Sequence, residues 1–418
     1  MRTAYLIGAY SSEFGKWPQK SFRDLTREAY LGALSDAGME NGEEIQFAWF
    51  GNCGMAGWGQ SSIRGQICFI PLVEEGLFPK LVPIINVEGA CSTASMAFHG
   101  AWKDILSGQC EVSLALGVEK LFNPQATAEQ IKQSFTAGMD NFTPEKTLDV
   151  YHQAAGKIGW KFEPGPDRTL FMDTYALQAG YHMWRYGTTQ KQIAMAASKT
   201  HNYGAKNAKA QYHFEMTPEQ VLEDRSVSYP LTRSMCAPIG DGSSAAILCS
   251  GEYLKNLPAS VQSRAVKICA SVLTGGRYRD FDEPGLSREA AIRAYKMAGI
   301  TASDIDVAEV HDATSFSEIY QAEMLGFCPV GEGGKFIESG DAGPGGRLPV
   351  NTSGGLVSKG HPVGATGLSM IYELATQLRG EAGERQVKDA EFALQENGGG
   401  VIGFEEAVCS VVVLQKNS

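Results

Sequence analysis

The sequence predicts an α/β fold made of two similar halves. The chain has 418 residues, which is long enough for two domains or two large halves. Strand-like apolar runs alternate along it with segments whose apolar residues recur at helical spacing. Residues 25–50 also resemble residues 286–310 across a helix, its closing glycine and the next strand. A repeat of this length indicates a duplicated β/α unit.

The two copies of the repeat share more than an amphipathic pattern. Each begins with Leu and a hydroxyl residue, continues with Arg-Glu-Ala and an apolar helical face, and closes on Ala-Gly, where the glycine suits a left-handed helix end. Amphipathic helices can resemble one another through composition alone, but here the identities run through the helix and its cap. The matched pairs are Arg27 and Arg288, Glu28 and Glu289, Ala29 and Ala290, Ala33 and Ala294, Ala37 and Ala298, and Gly38 and Gly299.

Composition and charge exclude several classes of protein. Hydrophobic residues make up 43% of the chain and charged residues 20%, as in ordinary globular proteins. The net charge of -11 argues against nucleic acid and against a polybasic membrane surface, and no apolar run is long enough to span a membrane. Nine scattered cysteines without a CxxC pair, and a start, MRTAYLIGAY, without a cleavable apolar leader, favour the cytoplasm. No metal-site spacing occurs in the sequence, so no metal is expected.

The first candidate site residue is Cys91, in the stretch VPIINVEGACSTASMAFHGAW. The apolar run 82–87 predicts a short buried strand, and the apolar positions after Cys91 recur at helical spacing up to about Leu106. Cys91 would therefore lie at a strand-to-helix turn, where free backbone N–H groups and the helix dipole stabilise a thiolate. Such a thiolate is a candidate nucleophile, and the alternative is a buried structural cysteine.

A less regular region, about 119–230, separates the two halves. It is rich in aromatic and Met residues, which fits either a small helical subdomain with its own core or a lid that shapes an apolar acyl pocket. We therefore expect an N-terminal half over residues 1–255, with this region inserted in it, and a C-terminal half over residues 256–418.

Two histidines in the second half join Cys91 as candidate site residues. His311, in the motif VHDA, is predicted at the end of a strand, before a helix that starts near Ser315. His361, in KGHPVGATG, is predicted in a glycine-rich turn with Pro362 in the first helical turn. If the two halves are related by a pseudo-twofold axis, these helix N-termini converge on one site. A Cys–His pair supplies a thiolate, and a second imidazole stabilises or protonates an oxyanion.

Glycines near the C-terminus, in ENGGGVIGF, match the pattern of a nucleotide-binding motif. Gly398, Gly400 and Gly403 match GxGxxG after a strand, but the segment AVCSVVVLQ that follows is strand-like and not helical. The dinucleotide interpretation is therefore rejected. A hairpin whose backbone N–H groups face the active site fits better, because glycine lets a ligand approach closely.

These motifs identify the chain as resembling the thiolase superfamily over its whole length, and above all the sterol-carrier-protein type of thiolase. The resemblance rests on the motifs VEGACSTAS, VHDA, NTSGGLVSKGHPVGATG and QENGGG. The resemblance implies a five-layered αβαβα fold with two pseudo-symmetric halves and an inserted loop domain. It also implies homodimers, a CoA thioester substrate with CoA as co-substrate, and no bound cofactor.

Residue roles follow from the same resemblance. Cys91 would take the acyl group, His361 would act as its general base, and His311 with His361 would bind a thioester oxygen. Backbone N–H groups of Cys91 and Gly399 would form the second oxyanion hole. Most thiolases add a second cysteine that exchanges a proton with the substrate α-carbon, but the two positions where relatives carry it hold Asn397 and Ala313 here.

That departure leaves the proton donor open among His311, a water, and Glu405 or Glu406. It occurs in relatives that work with a small zinc-ribbon and OB-fold partner subunit. Among these the chain is most similar to the benzoylsuccinyl-CoA thiolases, which convert 2-benzoylsuccinyl-CoA and CoA to benzoyl-CoA and succinyl-CoA. The retro-aldolase relatives lack the nucleophile, so Cys91 argues against that activity.

Two other classes of function stay open at this point. One is an acyltransferase of the same fold that acylates a small phenolic acceptor. The other is a non-catalytic thiolase-like scaffold that binds lipid or a partner protein. C–C cleavage of a β-ketoacyl-CoA and the reactivity of Cys91 distinguish them from a thiolase.

Overall fold

Strands and helices alternate as the repeat predicts, within the residues that the computed structural model describes, 2–165 and 168–417. The first part contains β1 (Ala4–Ser11), α1 (Phe22–Asp36), β2 (Phe47–Gly51), α2 (Arg64–Glu74), β3 (Ile84–Val87), α3 (Thr93–Ser107) and β4 (Val112–Lys120). The inserted region contains α4 (Ala128–Thr136), α5 (Pro144–Lys157), α6 (Leu170–Tyr186), α7 (Gln190–Gly204), α8 (Pro218–Glu223), β5 (Ser226–Ser228) and β6 (Leu231–Thr232).

The chain then returns to the main body. The remaining elements are β7 (Asp241–Ser250), α9 (Gly251–Leu254), α10 (Ala259–Arg264), β8 (Val266–Gly275), α11 (Leu286–Ala298), β9 (Val307–Glu309), α12 (Ser315–Met324), α13 (Gly333–Glu338), α14 (Gly355–Lys359), α15 (Thr366–Arg379), β10 (Phe392–Gly399) and β11 (Val408–Lys416).

Strand pairing follows the same pattern twice. In the first set β1 pairs antiparallel with β7, β7 antiparallel with β4, and β4, β2 and β3 run parallel. In the second set β8 pairs antiparallel with β11, β11 antiparallel with β10, and β10 and β9 run parallel, with Val350 bridging Ala308 beside them. A pairing of three residues between β1 and β8 links the sets into one nine-stranded sheet. The pattern confirms the predicted duplication.

Alternating strand residues build the layers. In β4, Leu114 and Leu116 pack in the core under α1 and α2, whereas Ala115 faces the core around α3 and α15. In β11, Val411 belongs to the core under α11 and α12, and Val412 faces α3 and α15. Helix α3 and helix α15 therefore form a central layer between the two strand sets, with an outer helical layer on each side. This arrangement agrees with the five-layered thiolase fold.

The repeated helices end as the sequence predicts. Helix α1 is followed by Gly38 with φ of 67°, and helix α11 by Gly299 with φ of 73°. Both values lie in the left-handed region, where glycine has no Cβ penalty.

The inserted region has a small core of its own, formed with one residue of the C-terminal hairpin. Tyr151, Phe162 and Leu177 pack there against Phe404. Helix α7, however, packs in the outer core of the second strand set through Ile193 and its neighbouring alanines. Part of the insertion thus supports the second half, and the division of the chain at residues 255 and 256 stays a prediction.

The insertion is also bonded to the hairpin between β10 and β11. The Gly138 carbonyl accepts a hydrogen bond from the Val401 N–H at 2.9 Å. The Gln178 side chain donates to the Phe404 carbonyl at 2.8 Å. These bonds connect the aromatic region to the strand end that carries the QENGGG motif.

Two features of the structure concern membrane association and the redox state of the cysteines. Within the described ranges, every helix is too short or too polar to cross a bilayer. All nine cysteines are free thiols.

The packing of α1 on β1 gives a stability test. A Cβ built on Gly8 would overlap the Ala33 carbonyl oxygen and lie 2.7 Å from the Ala37 Cβ. We expect Gly8→Ala to lower the free energy of unfolding by about 1–3 kcal/mol, measured by urea denaturation. Gly156→Ala is the matched control, because Gly156 lies exposed in α5 with open space around it, and helix propensity should stabilise it by up to about 1 kcal/mol. Equal stability of Gly8→Ala and wild type would contradict the packing.

Candidate active site

Cys91 lies at the turn between β3 and α3, as predicted. A single 3-10 turn, Ala90–Ser92, precedes the α-helix, so α3 begins two residues after Cys91. Ala90 has a φ of 49°, a left-handed conformation that is uncommon for a residue with a Cβ. The Thr93 hydroxyl accepts a hydrogen bond from the Gly89 N–H at 2.9 Å. This bond ties the strained turn to the first residue of the helix and fixes the position of Cys91.

His311 and His361 both lie close to Cys91. The sulfur and one nitrogen of each imidazole lie within 4.8 Å of one another. The two imidazole rings have centroids 5.3 Å apart at an interplanar angle of 59°. His311 is 2% exposed and His361 8%, and across the described part of the chain neither Nε2 atom finds a hydrogen-bond partner. The structure therefore brings the three predicted side chains together in one buried site.

His361 is held in one tautomer by the first residue of α15. The Thr366 hydroxyl donates to the Pro362 carbonyl at 3.1 Å, so its oxygen is free to accept from His361 Nδ1, 2.8 Å away. With Nδ1 protonated, Nε2 carries the lone pair. The predicted position of Pro362 in the first helical turn is wrong, because α15 begins only at Thr366. That later start is what places the Thr366 hydroxyl beside the ring.

The loop that carries His361 packs closely on the first strand set. A Cβ on Gly117, in β4, would overlap the Gly364 carbonyl oxygen, and one on Gly51, in β2, would lie 3.5 Å from it. Glycine at Gly117 lets this backbone reach the strands next to Cys91. The close contact between the two halves thus depends on glycines, which have no side chain, as well as on apolar packing.

Burial dominates the electrostatics of the site. It raises the pKa of the Cys91 thiol to about 12, although the N–H groups of Gly400 and of Cys91 itself oppose the rise. It lowers the pKa of His311 to about 4. The pKa of His361 is also well below its usual value, because of burial and then of the nearby His311 and Lys359. All three groups are therefore uncharged at neutral pH, and the helix N-terminus does not by itself yield a thiolate.

The glycines after β10 pack directly against the Cys91 turn. A Cβ on Gly399 would lie 2.5 Å from the Ser92 nitrogen, so the strand end and the turn need glycine to touch. The N–H that acts on the Cys91 sulfur belongs to Gly400, one residue beyond the predicted Gly399. The sequence places Gly400 in the hairpin whose N–H groups were expected to face the site, but the resemblance gave the oxyanion role to Gly399. The oxyanion role of Gly399 stays a prediction.

Neither position of the missing second cysteine offers a titratable group. The Asn397 amide oxygen accepts from the Ser95 hydroxyl at 2.8 Å, and its nitrogen donates to the Gly398 carbonyl at 3.2 Å. Asn397 thus links β10 to α3. Ala313 is buried, and its carbonyl accepts from the Ala237 N–H at 3.0 Å.

Carboxylates that surround His311 were only partly foreseen. The Glu396 carboxylate accepts from the His311 backbone N–H at 3.0 Å and fixes the turn after β9. Burial raises the pKa of Glu396 to about 7. Glu406 Oε1 lies 3.9 Å from His311 Nδ1. Glu406 was among the candidates from the sequence. Glu396, which lies in the QENGGG motif, was missed.

The spacing of Cys91, His311 and His361 would also satisfy a zinc ion, which favours sulfur and imidazole ligands. A metal there would occupy the same lone pairs that nucleophilic chemistry requires. The nucleophilic role of the cluster and the absence of a metal both stay predictions.

Comparison with known proteins identifies the family of the chain. Residues 4–229 match the family described as "Thiolase, N-terminal domain", and residues 278–414 match "Thiolase C-terminal domain-like". An acetyl-CoA acetyltransferase of Methanothermobacter thermautotrophicus is 35% identical over 96% of this chain and 98% of the relative. Sterol carrier protein 2 of Oryctolagus cuniculus is 35% identical over 97% and 73%. The benzoylsuccinyl-CoA thiolase subunit BbsB of Thauera aromatica is 32% identical over 93% and 92%.

Solved structures share the fold at lower identity. The Ltp2-ChsH2(DUF35) aldolase superposes with a TM-score of 0.76 at 22% identity, covering 99% of this chain and 98% of that one. Human mitochondrial 3-ketoacyl-CoA thiolase superposes with a TM-score of 0.69 at 16% identity, covering 100% and 99%. Both parts of the chain match thiolase domains, and a relative more than a third identical spans nearly its whole length. The chain therefore belongs to the thiolase family of acyltransferases.

Proposed function

We propose that the protein cleaves a β-ketoacyl-CoA with CoA through an acyl intermediate on Cys91. Two observations carry the proposal: the Cys91 sulfur and one nitrogen of each imidazole lie within 4.8 Å of one another, and the buried Nε2 of each ring has no hydrogen-bond partner among the described residues. CoA acts as co-substrate, and no bound cofactor is required by this chemistry.

The first half of the reaction forms the acyl-enzyme. His361 Nε2 carries a lone pair and takes the Cys91 proton, and the thiolate attacks the β-keto carbonyl carbon. Backbone N–H groups of Cys91 and Gly399 receive the developing oxyanion, with Gly400 beside them. Because burial raises the pKa of Cys91, the proton leaves only when the base accepts it as the bond to substrate forms.

The second half releases a thioester and regenerates the enzyme. Breaking the C–C bond leaves an enolate, whose oxygen is held by hydrogen bonds from His311 and protonated His361. After the enolate is protonated and leaves, the CoA thiol attacks the acyl group on Cys91. The released sulfur recovers its proton from His361.

We propose an aromatic substrate, with 2-benzoylsuccinyl-CoA giving benzoyl-CoA and succinyl-CoA. The 32% identical relative is named a benzoylsuccinyl-CoA thiolase subunit. Tyr175, on α6 of the inserted region, lies near enough to Cys91 for the two groups to interact electrostatically. An aromatic side chain within electrostatic range of Cys91 supports the interpretation of the insertion as part of an acyl pocket.

We also propose a homodimer that works with a small zinc-ribbon and OB-fold partner in the cytoplasm. The name of the aldolase neighbour includes a DUF35 chain, and the Thauera relative is described as a subunit. Nine free thiols support a reducing compartment.

Intact-mass detection of an acyl adduct tests the proposal. We expect the wild type to gain one acyl group from benzoyl-CoA or from aliphatic thioesters, with the aromatic donor reacting faster. Cys91→Ala should lose the adduct, because its nucleophile is gone. Cys249→Ala should keep it, since Cys249 also has a pKa raised to about 12 by burial but lies in the core under α1 and α2, outside the site.

The outcomes separate the three classes of function. Adduct formation together with cleavage of β-ketoacyl-CoA supports the thiolase. An adduct without any cleavage would instead favour an acyltransferase for a phenolic acceptor. A Cys91 that stays inert towards every thioester and towards iodoacetamide would favour a scaffold.

The pH dependence of Cys91 alkylation tests its resting state. Since burial raises the pKa of this thiol to about 12, the thiolate fraction should grow as pH rises, and iodoacetamide should react about tenfold faster per pH unit between pH 7 and 9. The rate is measured by mass spectrometry at each pH. A rate that stays flat from pH 6 to 8 would reveal a preformed thiolate–imidazolium pair and contradict a neutral site.

Thr366 tests the tautomer of His361. Thr366→Val removes the hydroxyl that accepts from Nδ1, so acylation of Cys91 should slow by at least about tenfold, less than the ~10²–10⁴-fold cost of losing a general base. KM for the acyl donor should change little, because the substrate contacts remain. Thr366→Ser keeps the hydroxyl and should restore most of the rate in stopped-flow acylation. Loss of rate in Thr366→Ser equal to that in Thr366→Val would reject the hydrogen bond as the cause.

A further inference from the structure

One proton in the proposed reaction lacks an assigned carrier. The enolate released by C–C cleavage must be protonated at its α-carbon, and Asn397 and Ala313 have no proton to give. We propose that Glu406 is the catalytic acid and base that exchanges this proton with the α-carbon. The inference rests on the proposed thiolase function and extends it to a residue.

The geometry distinguishes Glu406 from its neighbour. Glu405 forms an ion pair with Arg279 Nε at 3.1 Å, and both side chains are at most 4% exposed, so its charge is already compensated. Glu406 points the other way, to 3.9 Å from His311 Nδ1. Its carboxylate therefore lies beside the cluster of Cys91, His311 and His361.

The backbone makes room for this carboxylate. A Cβ on Gly398 would overlap the Glu406 carboxylate oxygens, so only glycine permits the position. The Gln321 amide donates to Glu406 Oε1 at 3.3 Å, and the Ala407 N–H donates to the Gly399 carbonyl at 2.9 Å. The side chain is thus oriented by α12 and by the hairpin that follows β10.

Exposure also suits a group that must give up and regain a proton. The Glu406 side chain is 21% exposed, whereas Glu396 is fully buried and bonded to the His311 backbone. A partly exposed carboxyl can be reached by a substrate and by CoA. Glu396 is instead a positioning residue for the His311 turn.

The groups around Glu406 favour its protonated form. Burial raises its pKa well above the usual value, Glu396 and Glu405 add to the rise, and Arg279 opposes it. A carboxyl whose pKa is raised holds its proton more readily, which suits it to act as an acid. The titratable and charged groups that face it are His311, Glu396, Glu405, Arg279, Cys409, Cys91, Tyr320 and Tyr175.

His311 is less suited to the same task. Burial lowers its pKa to about 4, so it stays a neutral imidazole, which is a weak proton donor. Its Nε2 is better used as a hydrogen-bond donor to the enolate oxygen. In this scheme His311 donates a hydrogen bond to the enolate oxygen, and Glu406 gives its proton to the α-carbon.

The protons and electrons balance over one turnover. When the C–C bond breaks, its electron pair passes into the enolate, and the α-carbon forms a C–H bond with the proton of Glu406, leaving a carboxylate. The carboxylate, which is 21% exposed, takes a proton back from water, and the CoA thiol gives its proton to water as its sulfur attacks the acyl group on Cys91. Cys91 leaves as a thiolate and takes back the proton that His361 held, so every group returns to its first state.

Two readouts of one protein test the proposal. The first is the acyl adduct on Cys91 from acetyl-CoA or benzoyl-CoA, which needs no α-carbon chemistry. The second is exchange of the α-protons of acetyl-CoA and succinyl-CoA in D2O, followed by NMR, together with cleavage of acetoacetyl-CoA. For Glu406→Gln we expect the adduct to form at close to the wild-type rate, while α-proton exchange and cleavage fall by at least about 100-fold.

Glu405→Gln is the matched control in the same hairpin. Removing the partner of Arg279 should lower the thermal midpoint, but α-proton exchange by the folded protein should stay near the wild-type rate. Exchange that survives in Glu406→Gln would overturn the proposal, as would an equal loss of exchange in both variants, which would indicate a disturbed hairpin. A wild type that forms no adduct would instead overturn the proposed function, so the two failures are distinguishable.

Discussion

The active site depends on the way two helices meet between the two strand sets. Helices α3 and α15 share one central core, in which Phe98 and Leu368 are fully buried. Cys91 precedes the first helix and His361 the second, so packing these helices side by side brings their preceding turns together. The distance between sulfur and imidazole is thus set by the duplicated architecture and not by local sequence, since 270 residues separate the two side chains.

Burial in this central layer also determines the resting chemistry. A site deep between the two strand sets disfavours charge, so burial raises the pKa of the Cys91 thiol, lowers the pKa of both imidazoles and raises the pKa of Glu396. In the proposed reaction, charge would develop only as the substrate reacts, and the backbone N–H groups of the Cys91 turn would receive it. Such preorganised dipoles in a dry site are the usual source of large electrostatic stabilisation in catalysis.

Local sequence predicted the elements that carry the site but not all of the contacts within it. Helical spacing after Cys91 and the strand before His311 were enough to locate both residues. The later start of α15, and with it the hydrogen bond from His361 to Thr366, depends on how the loop rests on Gly117. The choice between two adjacent glutamates in the C-terminal hairpin likewise needs Arg279, which is more than a hundred residues away. Long-range partners of this kind leave no periodic pattern in the chain.

The bonds between the inserted region and the C-terminal hairpin have an evolutionary consequence. Gly138 and Gln178 hold Val401 and Phe404, just ahead of Glu406, while the same insertion carries Tyr175, which interacts electrostatically with Cys91. Mutations that reshape the insertion for a new acyl group would strain the segment bearing the carboxyl. Adaptation to another substrate should therefore require compensating changes in residues 400–407. The substrate range should then change more slowly in evolution than the residues on the protein surface.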